Sequence, residues 1–149
     1  MVSILLMTHG EIGVQLLETA RGILGNIKVP VACLSVSTEA RIETIRTQAG
    51  HLLEKLSQSS KNTGVLVLTD LCGATPHNVI HQIDFEPKAL VSGLNLPMLL
   101  RALNYAVEDS LEILAEKAQK GGHTGITLAH SVSDEINTRK VTNKLPLFN

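Results

Sequence analysis

Tryptophan is absent from the 149 residues, and with one tyrosine and two phenylalanines the aromatic share is only 2%. The core must therefore be aliphatic, built from Leu, Ile, Val and Ala. Single-strand nucleic-acid binding, which relies on aromatic stacking platforms, is argued against. Charge of one sign is also missing: 13 basic residues meet 14 acidic ones, for a net charge of -1. Without a basic run, nothing points to DNA or to an anionic membrane surface. Cys33 and Cys72 are the only cysteines and lack CxxC spacing, so we read a free-thiol, cytoplasmic protein. The opening MVSILLM has no cationic n-region and is too short to cross a bilayer. Neither a P-loop nor a GxGxxG is present, which leaves nucleotide binding without a motif. We find no internal repeat, low-complexity stretch or interdomain linker.

What is present suits one folded domain, with 44% hydrophobic and 18% charged residues. Val2 to Met7 is a short continuous apolar run, as expected of a strand buried on both faces. Helical spacing of apolar residues follows over 12–24, with Gly25 as its stop. A second strand is expected over 29–36, at a sheet edge because Pro30 cannot donate to a ladder. The sequence predicts a helix over 38–57, capped by Ser37 or Thr38. GVLVLT, residues 64–69, reads as the central strand. A short helix over 75–83 starts with Thr75 as N-cap and Pro76 at its first position. A strand over 88–92 and helices over 97–106 and 110–119 come next, the last ended by Gly121 and Gly122. Residues 125–129 (GITLA) are a candidate last strand. Residues 131–149 are polar without a sustained period and form a C-terminal tail, leaving 1–130 as the domain. This alternation predicts an α/β fold, a three-layer sandwich with a mainly parallel sheet of about four strands.

Ligands of an open parallel sheet sit beyond the carboxyl ends of its strands. Three junctions meet that condition: Thr8-His9-Gly10, Asp70 to Pro76, and Gly93 to Pro97. At the second, Gly73 allows close backbone approach, and the free amides opening the next helix favour an anion. Thr75 adds a hydroxyl. Asp70 adds a charge that would repel a phosphate unless an imidazole N–H intervenes, and His9 supplies one. We therefore expect Asp70 to hold one ring nitrogen of His9, leaving the other free to attack a phosphoryl group cradled by amides. Gly10 would keep the approach clear. On position alone, His9 also fits a capping residue, Asp70 a turn former and the glycines tight turns.

Taken in order, MTHG, VLTDLCGATPHNV and VSGLNLPMLL resemble the EIIA domain of the mannose family of the bacterial sugar phosphotransferase system, from Val2 to about Leu128. The resemblance implies a phosphotransferase that accepts a phosphoryl group from the carrier HPr on His9, oriented by Asp70. It passes the group to an EIIB domain, on a histidine in mannose-family systems. Gly73, Ala74 and Thr75 fall at the family's phosphate-binding turn, beside Gly10. A homodimer exchanging a C-terminal strand is implied, and residues 125–129 lie at that place. Contact with the membrane would be indirect, through an EIIC/EIID permease. No cofactor, metal or nucleic acid is implied. No EIIB segment follows here, so a separate EIIB polypeptide is expected. The chain departs from the family where Gly-Gly-Ser-Pro becomes Gly73-Ala74-Thr75-Pro76, Ala74 being disfavoured at positive φ. His77 stands where an apolar residue is common, and Cys72 where bulkier ones are.

Other readings differ in chemistry. His77 and His81, four apart, with Asp84 three further on, make a possible metal-ligand set, which His9 and Cys72 could join. A flavodoxin-like binding module is a third reading. The phosphoryl-accepting subunit of a dihydroxyacetone kinase carries a similar His-Gly, and a free-standing EIIA can also act as a regulator.

Overall fold

The computed structural model of the chain describes residues 1–58 and 63–128. Its elements are β1 (Ser3–His9), α1 (Ile12–Leu24), β2 (Val31–Val36), α2 (Ile42–Ser57), β3 (Val65–Thr69), α3 (Thr75–Gln82), β4 (Lys88–Ser92), α4 (Leu96–Tyr105) and α5 (Leu111–Thr124). The four strands form one sheet in the order β2-β1-β3-β4, and every pairing is parallel. The apolar runs follow from this: β1 and β3 lie inside the sheet and are covered on both faces. From Ser3 to Thr8 every residue of β1 is buried, as is all of β3. Strand β2, preceded by Pro30, is an edge, as its proline predicts.

Side-chain alternation divides the core into two faces. Ile4, Leu6, Leu66 and Leu68 point to the layer formed by α1, α4 and α5, where Leu17, Leu99 and Leu114 meet them. Leu5, Met7, Val65 and Val67 point to the other layer, against Ile45 and Leu53 of α2 and Ile80 of α3. The result is the expected three-layer α/β sandwich. No helix among the described residues is long and apolar enough to cross a membrane.

The chain leaves β1 toward β2 through α1 on one face. It returns through α2 on the other face to β3, on the far side of β1. The winding reverses between β1 and β3, so the carboxyl ends of those strands flank the topological switch point, where such sheets leave a crevice.

Several helix ends depart from expectation, each for a local reason. Helix α2 starts at Ile42 rather than Thr38, because the Ser37 hydroxyl accepts the Glu39 N–H and turns the backbone before the helix. Thr75 is not the N-cap of α3. Ala74 takes that position and Thr75 is the first helical residue. Helix α5 runs through Gly121 and Gly122 to Thr124. Those glycines do not stop it but admit α4. A Cβ at Gly121 would come within 2.8 Å of Arg101 Cβ, and one at Gly122 within 2.8 Å of Met98 Cε. Gly125 then caps α5, and residues 126–128 form no strand in the single chain, leaving Ile126 and Leu128 76% and 79% exposed. Ala129, the end of the expected last strand, and the 131–149 tail lie outside the described residues.

Candidate phosphoryl site

Parallel register brings the chemistry of distant segments to one edge. His9 ends β1 opposite Val36 at the end of β2, and Met7 pairs with Thr69, the last residue of β3. Asp70, the next residue, thus reaches across to His9, 61 positions away. Its Oδ2 lies 2.8 Å from His9 Nδ1 and accepts the His9 backbone N–H at 3.1 Å. Oδ1 accepts the Leu71 N–H at 3.1 Å. Both carboxylate oxygens are therefore engaged. An ionised carboxylate only accepts, so Nδ1 carries the proton and Nε2 keeps its lone pair. The Asp70 side chain is 12% exposed and that of His9 32%. Burial pushes the Asp70 carboxyl up. The hydrogen bonds from the His9 ring and backbone outweigh burial and hold the carboxyl below its ordinary value.

Thr8 turns the chain off the strand. Its buried hydroxyl accepts the Gly13 N–H at 2.9 Å, satisfying a first-turn amide of α1 that the side chain of Glu11 does not cap. Gly10 lies between them at φ +47°, and a Cβ there would meet nothing within 4 Å of the chain. It is the backbone angle, then, and not crowding within the chain, that calls for glycine.

The turn after Asp70 has a similar economy. Gly73 sits at φ +79°, and its carbonyl accepts the Asn78 side-chain amide at 2.7 Å, which ties the turn to α3. Ala74 has φ −82° and ψ 173°, extended backbone open to any residue, so the methyl introduces no strain. The N–H groups of Gly73, Thr75 and His77 find no backbone or side-chain acceptor among the described residues. They are the donors that the start of a helix leaves over. The displaced cap leaves the Thr75 hydroxyl on a cleft of about 310 Å³ that His9 also lines, together with Ser37, Thr38 and Ile42. Sequence reasoning missed Ser37 and Thr38 as cleft residues by treating them only as helix caps. Two hydroxyls directly after a strand end were the available signal.

The third junction shares the edge but serves the scaffold. The Asn95 side chain caps α4 by accepting the Met98 N–H at 2.9 Å and donates to the Gly122 carbonyl of α5 at 3.1 Å. Nor do the helix α3 histidines gather a metal set. The rings of His77 and His81 stack with centroids 6.2 Å apart, and His77 Nδ1 turns to Ser92 Oγ at 2.6 Å. Among the described residues no group of three or more His, Cys, Asp or Glu could hold a metal ion.

Comparison with known proteins agrees with this architecture. The model of the EIIA-man family, described as "PTS system fructose IIA component", matches residues 3–119. The "PTS system mannose-specific EIIAB component" of Escherichia coli is 31% identical over 128 residues, covering 84% of this chain. The chain spans only 38% of that relative's length. Among solved structures, the "Mannose/sorbose specific IIA subunit of phosphotransferase system" from Enterococcus faecalis is similar with a TM-score of 0.73 and 26% identity, over 85% of this chain and 93% of that one. The phosphotransferase system component EIIA from Streptococcus agalactiae gives a TM-score of 0.71 at 25% identity, over 85% and 96% of the two chains.

Proposed function

The chain belongs to the EIIA-man family of sugar phosphotransferase system components, and from that premise we propose that it is a phosphocarrier whose His9 takes a phosphoryl group from phospho-HPr and gives it to an EIIB partner. The observation that carries the reading is the 2.8 Å pairing of His9 Nδ1 with Asp70. It fixes the tautomer and leaves Nε2 as the nucleophile.

In the proposed transfer, the Nε2 lone pair attacks phosphorus in line while the P–N bond to the donor imidazole breaks. Positive charge grows on the His9 ring, and the Asp70 carboxylate stabilises it through Nδ1–H. The phosphoryl oxygens meet the amides of Gly73, Thr75 and His77, the Thr75 hydroxyl and the positive end of α3. Gly10 and Ala74 shape the two backbone turns of the cradle. Transfer to EIIB is the reverse of the same step. The reading places the chain in the cytoplasm with its donor, and reaching the membrane only through a permease. It also includes a homodimer: the exposed Ile126 and Leu128 are the start of a segment that would pair with a second copy.

The test combines the chain with phosphoenolpyruvate, enzyme I and HPr, and records intact mass beside that of His9→Ala. A gain of about 80 Da, labile in acid and absent from the variant, is expected. No gain in the wild type, while a known EIIA is phosphorylated by the same donors, overturns the HPr-dependent reading.

A further inference from the structure

Cys72 takes no part in the chemistry above. It is exposed in the turn between β3 and α3, with its Sγ 4.0 Å from His77 Nε2. The other ring nitrogen of His77 is anchored: Nδ1 lies 2.6 Å from Ser92 Oγ, which lies 2.8 Å from Thr69 Oγ1. Thr69 is fully buried in β3, so this chain of hydroxyls fixes the ring to the sheet. In the tautomer whose Nδ1–H donates to Ser92, with Ser92 donating to Thr69, Nε2 presents a lone pair to the thiol. A nucleophile, a base and a group that orients the base stand in sequence. Beside them opens a groove of about 490 Å³, walled by Leu90, Val91, Glu116 and Gln119, within the size range of small-ligand sites.

We propose that Cys72 is a covalent modification site at which a small disulfide exchanges, with His77 as the base and the groove holding the attached half. His77 Nε2 takes the thiol proton. The Cys72 sulfur attacks one sulfur of the disulfide, forming a new S–S bond as the old one breaks. The electron pair leaves on the second sulfur, and that thiolate takes the proton back from His77. Protons and electrons balance, the disulfide being the oxidant. Cys33 provides a contrast within the chain: it is half-buried in β2, and burial pushes its thiol up, with Arg21 opposing in part. Cys72 lies two residues after Asp70 and directly before Gly73. A mixed disulfide there puts bulk on the turn that carries the Gly73 and Thr75 amides, and on the phosphocarrier reading it blocks phosphoryl acceptance. This last consequence rests on the phosphocarrier reading; the thiol chemistry does not.

The full chain is treated with dithiodipyridine. The rate is read from released thiopyridone and the modified residue from peptide masses. Cys72 is expected to react ahead of Cys33. His77→Asn slows the Cys72 reaction by about tenfold or more, the loss of a positioned base. Ser92→Ala slows it in part, while Ser92→Thr, which keeps the hydroxyl, does not. Circular dichroism and the Cys33 rate verify folding. Equal Cys72 rates in wild type, His77→Asn and Ser92→Ala overturn the proposal, as does preferential labelling of Cys33. The Cys72 mixed disulfide is then offered phospho-HPr: loss of phosphoryl gain, restored by dithiothreitol, supports the blocking consequence, and undiminished gain overturns it. If the unmodified chain takes no phosphoryl group, the phosphocarrier reading fails while the thiol rates still decide the modification site.

Discussion

Asp70→Asn tests how the site works more sharply than deletion of His9 does. Asparagine preserves the shape of the aspartate but has one acceptor oxygen where Asp70 uses two. Asp70 Oδ2 takes the His9 Nδ1–H and backbone N–H, and Oδ1 takes the Leu71 N–H. If the amide oxygen stays toward His9, the NH₂ group confronts the Leu71 N–H. If it turns away, NH₂ faces Nδ1, which must then accept; the proton moves to Nε2 and the nucleophilic lone pair is lost. Either way, a charge-assisted bond worth about 1.5–3 kcal/mol is lost where the ring gains positive charge. Phosphoryl transfer should slow by roughly 10- to 150-fold. The assay is rapid-quench transfer from labelled phospho-HPr at saturating donor, with thermal melts confirming the fold. A variant within twofold of wild type would refute control of the ring by the carboxylate. pH gives a second readout. The hydrogen bonds from His9 depress the folded-state pKa of Asp70 below the ordinary carboxylate value, so its contribution to stability is fully present above the unfolded-state value and declines as pH falls through the folded-state value. Urea titrations should show the wild type losing its advantage over Asp70→Asn only below about pH 4.

Gly73→Ala forces a side chain into the left-handed region and should cost about 1–2 kcal/mol, read as a lower urea midpoint with an unchanged slope. Unchanged stability would mean that the turn relaxes. Asn95→Ala removes the cap of α4 and the bond to Gly122, so a loss of roughly 1–3 kcal/mol is expected by thermal melt; His9 phosphorylation should persist in the folded fraction. Leu66→Ala hollows a fully buried position of the central strand and should cost about 2–5 kcal/mol, checked by denaturant unfolding.

Local chemistry in the sequence was enough to place the four strands of the sheet, but it also suggested a strand over 125–129, where Gly125 caps α5 and residues 126–128 form none. The mainly apolar runs at 2–7 and 64–69 predict strands covered on both faces, and Pro30 predicts an edge. His9 and Asp70 were legible as partners because both follow such runs, and in a parallel sheet the residues after the strands share an edge. Tertiary structure decided the competitions between local options. Gly121 and Gly122 look like a helix stop, yet α4 approaches so closely that a Cβ would collide with Arg101 or Met98; there the glycines serve packing. Thr75 has the chemistry of a cap, but the backbone turns one residue earlier and leaves its hydroxyl on the cleft. His77 looks like half of a metal pair until Ser92, 15 residues further on, takes its Nδ1. A residue's own chemistry limits what it can do, and periodicity indicates which face it takes. Which of its possible partners it meets depends on segments brought alongside by winding and register, and those are properties of the assembled sheet.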